Sequence, residues 1–273
     1  MGRPNRGDSA YFWTVTPAMS FIKYFPVVLL LASHLYSFGD VVYLPDEPKP
    51  VLRIEGKLKK PDLKDFQIAV AHLKRSGKRL HMDSVQLNSV GGNGHAGREM
   101  GRLIRRAKLN TFVAPESECV SACVEILIGG VVRMAYGTVM VHRSTLWSGN
   151  FTEQQLKQSL PDVDADTAAY VKEMGMSALL TESMLSTPTW ALHTLTDTEK
   201  FRWGVHGMER VFEEVMLLRY ARELKITALH FAELFGEHFD ECDKVASRFE
   251  MTPHECVFEK GKEASRASQV PLQ

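Results

Sequence analysis

The spacing of apolar positions along the chain switches repeatedly between a period of two and a period near 3.6, and the switches predict the elements. Residues 51–56 (Val-Leu-Arg-Ile-Glu-Gly) alternate and end in glycine, which predicts a strand. Leu63, Phe66, Ala69, Val70 and Leu73 then recur at helical spacing over 61–75. A second strand is expected at 84–88, followed by a glycine-rich turn at 89–94 and a helix whose apolar face is Ala96, Met100, Leu103, Ile104 and Ala107. Residues 110–114 form a third strand, the apolar run Val124 to Ile128 a short helix, and 138–142 a fourth strand. Strands alternating with helices in this way predict an α/β fold with a mostly parallel sheet and crossover helices.

From residue 152 the pattern becomes helical. Thr152 to Gln155 has the capping-box form, 164–184 reads as a long helix interrupted at Gly175, and Thr196 with Glu199 opens a short helix running to Gly204. Further helices are expected at 208–225 and 227–239, with a last one capped around Thr252 to Glu255. Val211, Val215, Leu218, Ala221 and Leu224 share a helical stripe, which predicts docking on the core. Residues 40–51, with Pro45, Pro48 and Pro50, read as a linker or edge segment, and 264–273 as a polar disordered tail.

Composition adds little to this and excludes some function classes. With 44% hydrophobic residues and Lys+Arg 33 balanced by Asp+Glu 33, the chain is ordinary globular material and carries no whole-chain signal for nucleic acid. The start of the chain differs. The apolar run from Phe25 to Ala32, preceded by Lys23 and followed by a small-residue region up to Gly39, has the pattern of a secretory signal, with Met19 as the expected translation start. The expected organisation is an extension and signal over 1–39, the α/β domain over 40–207, a helical extension over 208–263 and the tail. An exported, periplasmic location follows, with a membrane role only if the apolar segment stays uncleaved as an anchor.

Four cysteines suit that compartment. Cys242 and Cys256 flank a turn at a separation that suits a bridge between two helices, and Cys119 and Cys123 could bridge across one helical turn. Three connectivities remain open on sequence grounds. Neither pair has zinc-site spacing, so no metal is expected.

Three short stretches carry candidate chemistry. Gly91 and Gly92 end a predicted strand, at the edge where parallel α/β sheets bind ligands, and could present backbone N–H groups to a reacting oxygen. Ser121 opens the helix between Cys119 and Cys123, where helix amides stabilise negative charge; read alone it is an ordinary helix cap. His142 ends the fourth strand and, read alone, is a structural or surface histidine.

In their order and spacing these stretches resemble the Clp protease and crotonase superfamily, in particular the exported Clp-protease-like proteins of bacteria. The turn from Ser84 to Gly92, the segment Cys119-Val120-Ser121-Ala122-Cys123, the stretch from Gly129 to Arg133 with Met140 to Arg143, and Leu195 to Val205 carry the resemblance, over about 51–207. It implies Ser121 as nucleophile, His142 as general base, and the N–H groups of Gly91 or Gly92 and of Ala122 as oxyanion donors. A serine peptidase acting on peptide or protein, with no cofactor, and a homo-oligomer such as a trimer or ring are what the resemblance implies. Two positions depart from the pattern. Val90 stands where the family has proline, and residues 189–194, where its acid falls, contain no Asp or Glu. Asp197 is the nearest substitute and Glu125 another. The rival class is an inactive binding or scaffold protein on the same fold; a thioester-handling crotonase is the weaker third, since coenzyme A is cytoplasmic.

Overall fold

A computed structural model describes residues 36–38, 41–144 and 152–267. The expected signal segment and the residues between His142 and the Thr152 cap at 145–151 lie outside the described residues.

The chain begins with two short strands, β1 (Tyr36–Phe38) and β2 (Val41–Leu44), which run antiparallel to each other and cover one edge of the sheet. β3 (Val51–Leu58) follows, then α1 (Asp62–Ser76), which ends at Gly77 in the left-handed conformation, a common helix stop. β4 (Ser84–Gly92) and α2 (Gly94–Ala107) come next; the side chain of Asn93 caps α2 by accepting from the Ala96 N–H. β5 (Asn110–Val113), β6 (Glu118–Val120), α3 (Ala122–Leu127), β7 (Val132–Ala135) and β8 (Thr138–Val141) complete the parallel part. The second half holds α4 (Glu153–Glu173), α5 (Ala178–Ser186), β9 (His193–Thr194), α6 (Asp197–Arg202), β10 (Gly207–Met208), α7 (Arg210–Leu224), α8 (Ala228–Ser247) and α9 (Pro253–Ala267). The fold class is as expected: a mixed α/β fold with a mostly parallel sheet, followed by C-terminal helices.

The sheet forks at β4. Its first half pairs with β5 through Ser84, Val85 and Gln86, and the path continues through β7 to β10. Its second half pairs with β6 at Ser89, and that branch continues through β8 to β9. The fork lets one long strand serve two sheets, with Leu87, Met100, Ile104, Val124, Ile126, Leu127 and Tyr170 buried in the main core.

Several local features differ from the periodicity reading, each for a physical reason. β7 is buried along its whole length, so it shows no alternation to betray it, and Arg133 in its middle further masks the apolar run. The Thr152 cap opens the same helix that contains Asp164, and α4 runs through Pro161 to stop before Gly175. α8 extends to Ser247, and α9 continues to Ala267, past the expected start of the disordered tail. The α7 stripe is the clearest correction: Val211, Val215 and Leu218 are 67%, 56% and 49% exposed. The last two positions of the stripe do pack, Ala221 buried and Leu224 half-buried in the small core of the helical extension, and the contact with the sheet uses other residues. Phe212 and Met208, with Ala246 and Phe249, pack on Met82, Phe112, Val132 and Met134 of the sheet branch that ends at β10.

The helical extension has its own small core of Tyr220, Phe231, Val257 and the Cys242–Cys256 disulfide, which joins α8 to α9 as a bridge between two helices. A loop of that length contributes about 3 kcal/mol in the chain-entropy account. His254 lies in the same region, buried, stacked on Phe235, with neither ring nitrogen hydrogen-bonded. Burial pushes its pKa down to about 3. A histidine depressed on folding leaves stability complete above its unfolded value near 6.5 and erodes it as pH falls towards 3, at about 1.4 kcal/mol per pH unit. Urea unfolding at about pH 7.5 and about pH 5 should therefore show a loss in the wild type that His254→Met reduces.

Candidate active site

The forked branch brings the three candidate stretches to one edge. β4, β6 and β8 are adjacent and parallel, with Ser89 opposite Cys119 and Cys119 opposite Val139. Continuing that register sets Gly91, Ser121 and Val141 side by side at the carboxyl ends of the three strands, with His142 one residue further on. The Ser121 N–H donates to the Met140 carbonyl at 2.9 Å, which fixes the serine against the strand that leads into His142.

Ser121 occupies the helix-cap position of α3 without acting as a cap. Its backbone is at φ 55 and ψ −119, and its side chain makes no capping hydrogen bond. Five other helices of this chain show what a cap looks like. Asn93, Thr152, Ser177, Thr196 and Thr227 are all extended, and each side chain accepts a backbone N–H of the first turn. A serine at positive φ is strained, and such strain persists only where the surroundings hold it. The effect here is to leave the half-buried hydroxyl uncommitted at a sharp strand-to-helix turn.

Gly91 makes that turn sterically feasible. It sits at φ 79, and a Cβ there would lie 2.3 Å from the Val120 carbonyl oxygen, 2.9 Å from Ser121 Cβ and 3.0 Å from the Ala122 nitrogen. Gly91→Ala should cost about 3 kcal/mol or more, because both backbone strain and a backbone clash apply. Gly77→Ala, also at positive φ but with nothing within 4 Å, should cost only about 1 kcal/mol. Urea midpoints of the two variants check the contrast.

The candidate oxyanion donors divide unequally. The Ala122 N–H is first in its helix and has no acceptor one turn behind it. The Gly91 N–H already donates to Ser89 Oγ at 3.1 Å, and Ser89 in turn donates to the Gly56 carbonyl at 2.6 Å. Gly92 is exposed at φ 143, next to Leu58 of the neighbouring strand. Ser89 is a residue that sequence reasoning missed; nothing in the pattern signals that a strand serine will tie up the glycine amide two positions on.

His142 has no orienting partner among the described residues. Its Nδ1 is buried and unbonded among the described residues. Burial lowers its pKa below the ordinary value, with a smaller opposing effect from the backbone of Arg143. Neither candidate acid reaches it. Asp197, 88% exposed, bonds Lys200 Nζ at 3.1 Å within the first turn of α6. Glu125 is buried on the other side of α3, where its Oε1 meets Arg98 at 2.9 Å and its Oε2 is unbonded beside Gly94 and Gly97. Burial raises the Glu125 carboxyl to about 7 despite the guanidinium beside it. The pairing of β8 with β9 explains the vacancy behind the imidazole. Met140 opposes Thr194 and Val141 opposes His193, the last pair of the ladder, and continuing that register by one residue would set Leu192 opposite His142. His193, which does carry a carboxylate partner in Glu199, alternates to the other face.

The cysteines flank this turn. Cys119 and Cys123 are both buried and form a disulfide, so the bridge ties β6 to α3 across Ser121 and does not span a single helical turn. Among the described residues, no group of three or more His, Cys, Asp or Glu could hold a metal ion, and no helix is long and apolar enough to cross a membrane.

No protein-family model matches the chain, and no curated protein does. Solved structures do. A mutant of the 1510-N membrane-bound stomatin-specific protease matches at 17% identity over 60% of this chain and 80% of its own, with a TM-score of 0.41. A ClpP1 mutant from Listeria monocytogenes matches at 17% identity over 56% of this chain and 86% of its own, with a TM-score of 0.44. The likeness to these two proteases is one of fold alone.

Proposed function

We propose that the protein is an exported serine hydrolase, acting on peptide or protein by acyl transfer through Ser121. The observation that carries this reading is the backbone of Ser121, held at positive φ with its hydroxyl free of the capping role that every comparable residue in the chain performs. A neutral His142 takes the hydroxyl proton as Ser121 Oγ attacks the carbonyl carbon. The tetrahedral oxyanion is received by the Ala122 N–H together with an amide of the Gly91–Gly92 turn, and the imidazolium returns its proton to the leaving group. With Nδ1 unbonded, the imidazolium has no anion behind it, and loss of such a partner costs about 10⁴-fold in a complete triad. Slow turnover is expected.

The same orphan nitrogen favours one alternative, a catalytically inactive binding protein of the cell envelope that keeps the groove. Turnover separates the two. Hydrolysis of a p-nitrophenyl ester, measured from about pH 4 to about pH 9, should depend on Ser121 and fall off in acid with a midpoint below the ordinary histidine value of about 6.5, because burial holds His142 neutral further into acid. Absence of Ser121-dependent turnover at every pH would favour the binding protein, and a midpoint above about 6.5 would contradict the assignment of the base.

A further inference from the structure

We propose that the Cys119–Cys123 disulfide is a positioning element that holds Ser121 in its reactive conformation; this rests on the reading of Ser121 as nucleophile. The bridge spans the serine symmetrically, two residues to either side, and both cysteines are buried. The elements it joins are too short to hold a strained turn alone. β6 has three residues, meeting β4 at a single pair and β8 at three, while α3 has six residues, well below the length at which a helix is stable without outside support.

The relaxed alternative is visible elsewhere in the chain. Ser121 freed from the bridge would swing to the extended backbone of Ser177 or Thr196 and turn its Oγ onto the amide of Val124 as an ordinary cap. At present the Val124 N–H is bonded to the Ser121 carbonyl instead, at 2.9 Å. A hydroxyl committed to capping is lost as a nucleophile, so the bridge acts on reactivity through Ser121 and touches no substrate itself. The loop it closes is short, which limits its effect on the unfolded chain compared with Cys242–Cys256, whose partners lie 14 positions apart. Local geometry is therefore its main product.

The test compares wild type, Cys119→Ala/Cys123→Ala and Cys242→Ala/Cys256→Ala with two readouts. One is the rate of covalent labelling by an alkyl fluorophosphonate, resolved into limiting rate and half-saturating concentration. The other is hydrogen exchange at the amides of residues 121–124. Loss of Cys119–Cys123 should lower the limiting rate about tenfold or more with little change in half-saturation, and should speed exchange at the turn. Loss of Cys242–Cys256 should lower the unfolding midpoint and leave labelling at the wild-type rate. If Cys119→Ala/Cys123→Ala does not fold, Cys119→Val/Cys123→Val refills the apolar volume and carries the same readouts. Wild-type labelling and exchange in the variant lacking Cys119–Cys123 would overturn the proposal. A wild type that does not label at Ser121 would remove the nucleophile reading alone, and exchange at the turn would still decide whether the bridge holds it.

Discussion

Leu192→Asp is expected to raise Ser121-dependent ester hydrolysis by about 100-fold, because it places a carboxylate at the position that the β8–β9 register, continued by one residue, would set opposite His142. His142 Nδ1 is buried and unbonded, so the imidazolium formed during attack is stabilised by nothing behind it. A carboxylate there accepts the Nδ1–H, fixes the tautomer that leaves Nε2 free to act as base, and offsets the developing positive charge. The gain falls short of the about 10⁴-fold effect of the acid in a complete triad, since no second shell has been built to hold the new side chain. Leu192 is 53% exposed, so removing it sacrifices little burial and the variant should fold. The acid limb of the pH profile should also move up, because a nearby anion favours the protonated imidazole. Leu192→Asn, of similar shape without charge, should give neither effect. Equal rates for Leu192→Asp and wild type would mean that His142 is not the base.

The same residues show how far the sequence could be read. The alternation of strands and helices, the glycine turn and the order of Gly91, Ser121 and His142 were legible because each rests on local spacing. The missing acid was legible too, since 189–194 contains no carboxylate, and the fold shows that the two nearest substitutes are engaged elsewhere: Asp197 by Lys200 and Glu125 by Arg98. What could not be read depends on tertiary context. The fork at β4 is invisible in a strand that looks like any other, yet it determines which strands stand beside Ser121. The Ser89 bond to the Gly91 amide and the positive φ of Ser121 are backbone facts with no residue signature, as serine is among the commonest helix caps. The α7 stripe held only at Ala221 and Leu224, because helical periodicity identifies an apolar face but does not say how far it is covered; Phe212 packs by the sheet and Met216 in the extension's core, while Val211, Val215 and Leu218 stay outside.

The largest effect expected of any single substitution is at Ser121, the proposed nucleophile. The close approach of Gly91 and the Met140 carbonyl that fixes the Ser121 amide leave one hydroxyl free of the capping role. Removing it should abolish acyl transfer while leaving the fold intact, because Ser121 caps nothing and its Oγ holds no other element in place. The unfolding free energy of Ser121→Ala, measured in urea, should stay within about 0.5 kcal/mol of wild type.

The most direct measurement is mass-mapped labelling by an alkyl fluorophosphonate, wild type against Ser121→Ala, at neutral pH. A single adduct on Ser121 in the wild type and none in the folded variant is the predicted result. A folded wild type that acquires no adduct at Ser121, or a variant that labels as fast as wild type, would contradict the assignment.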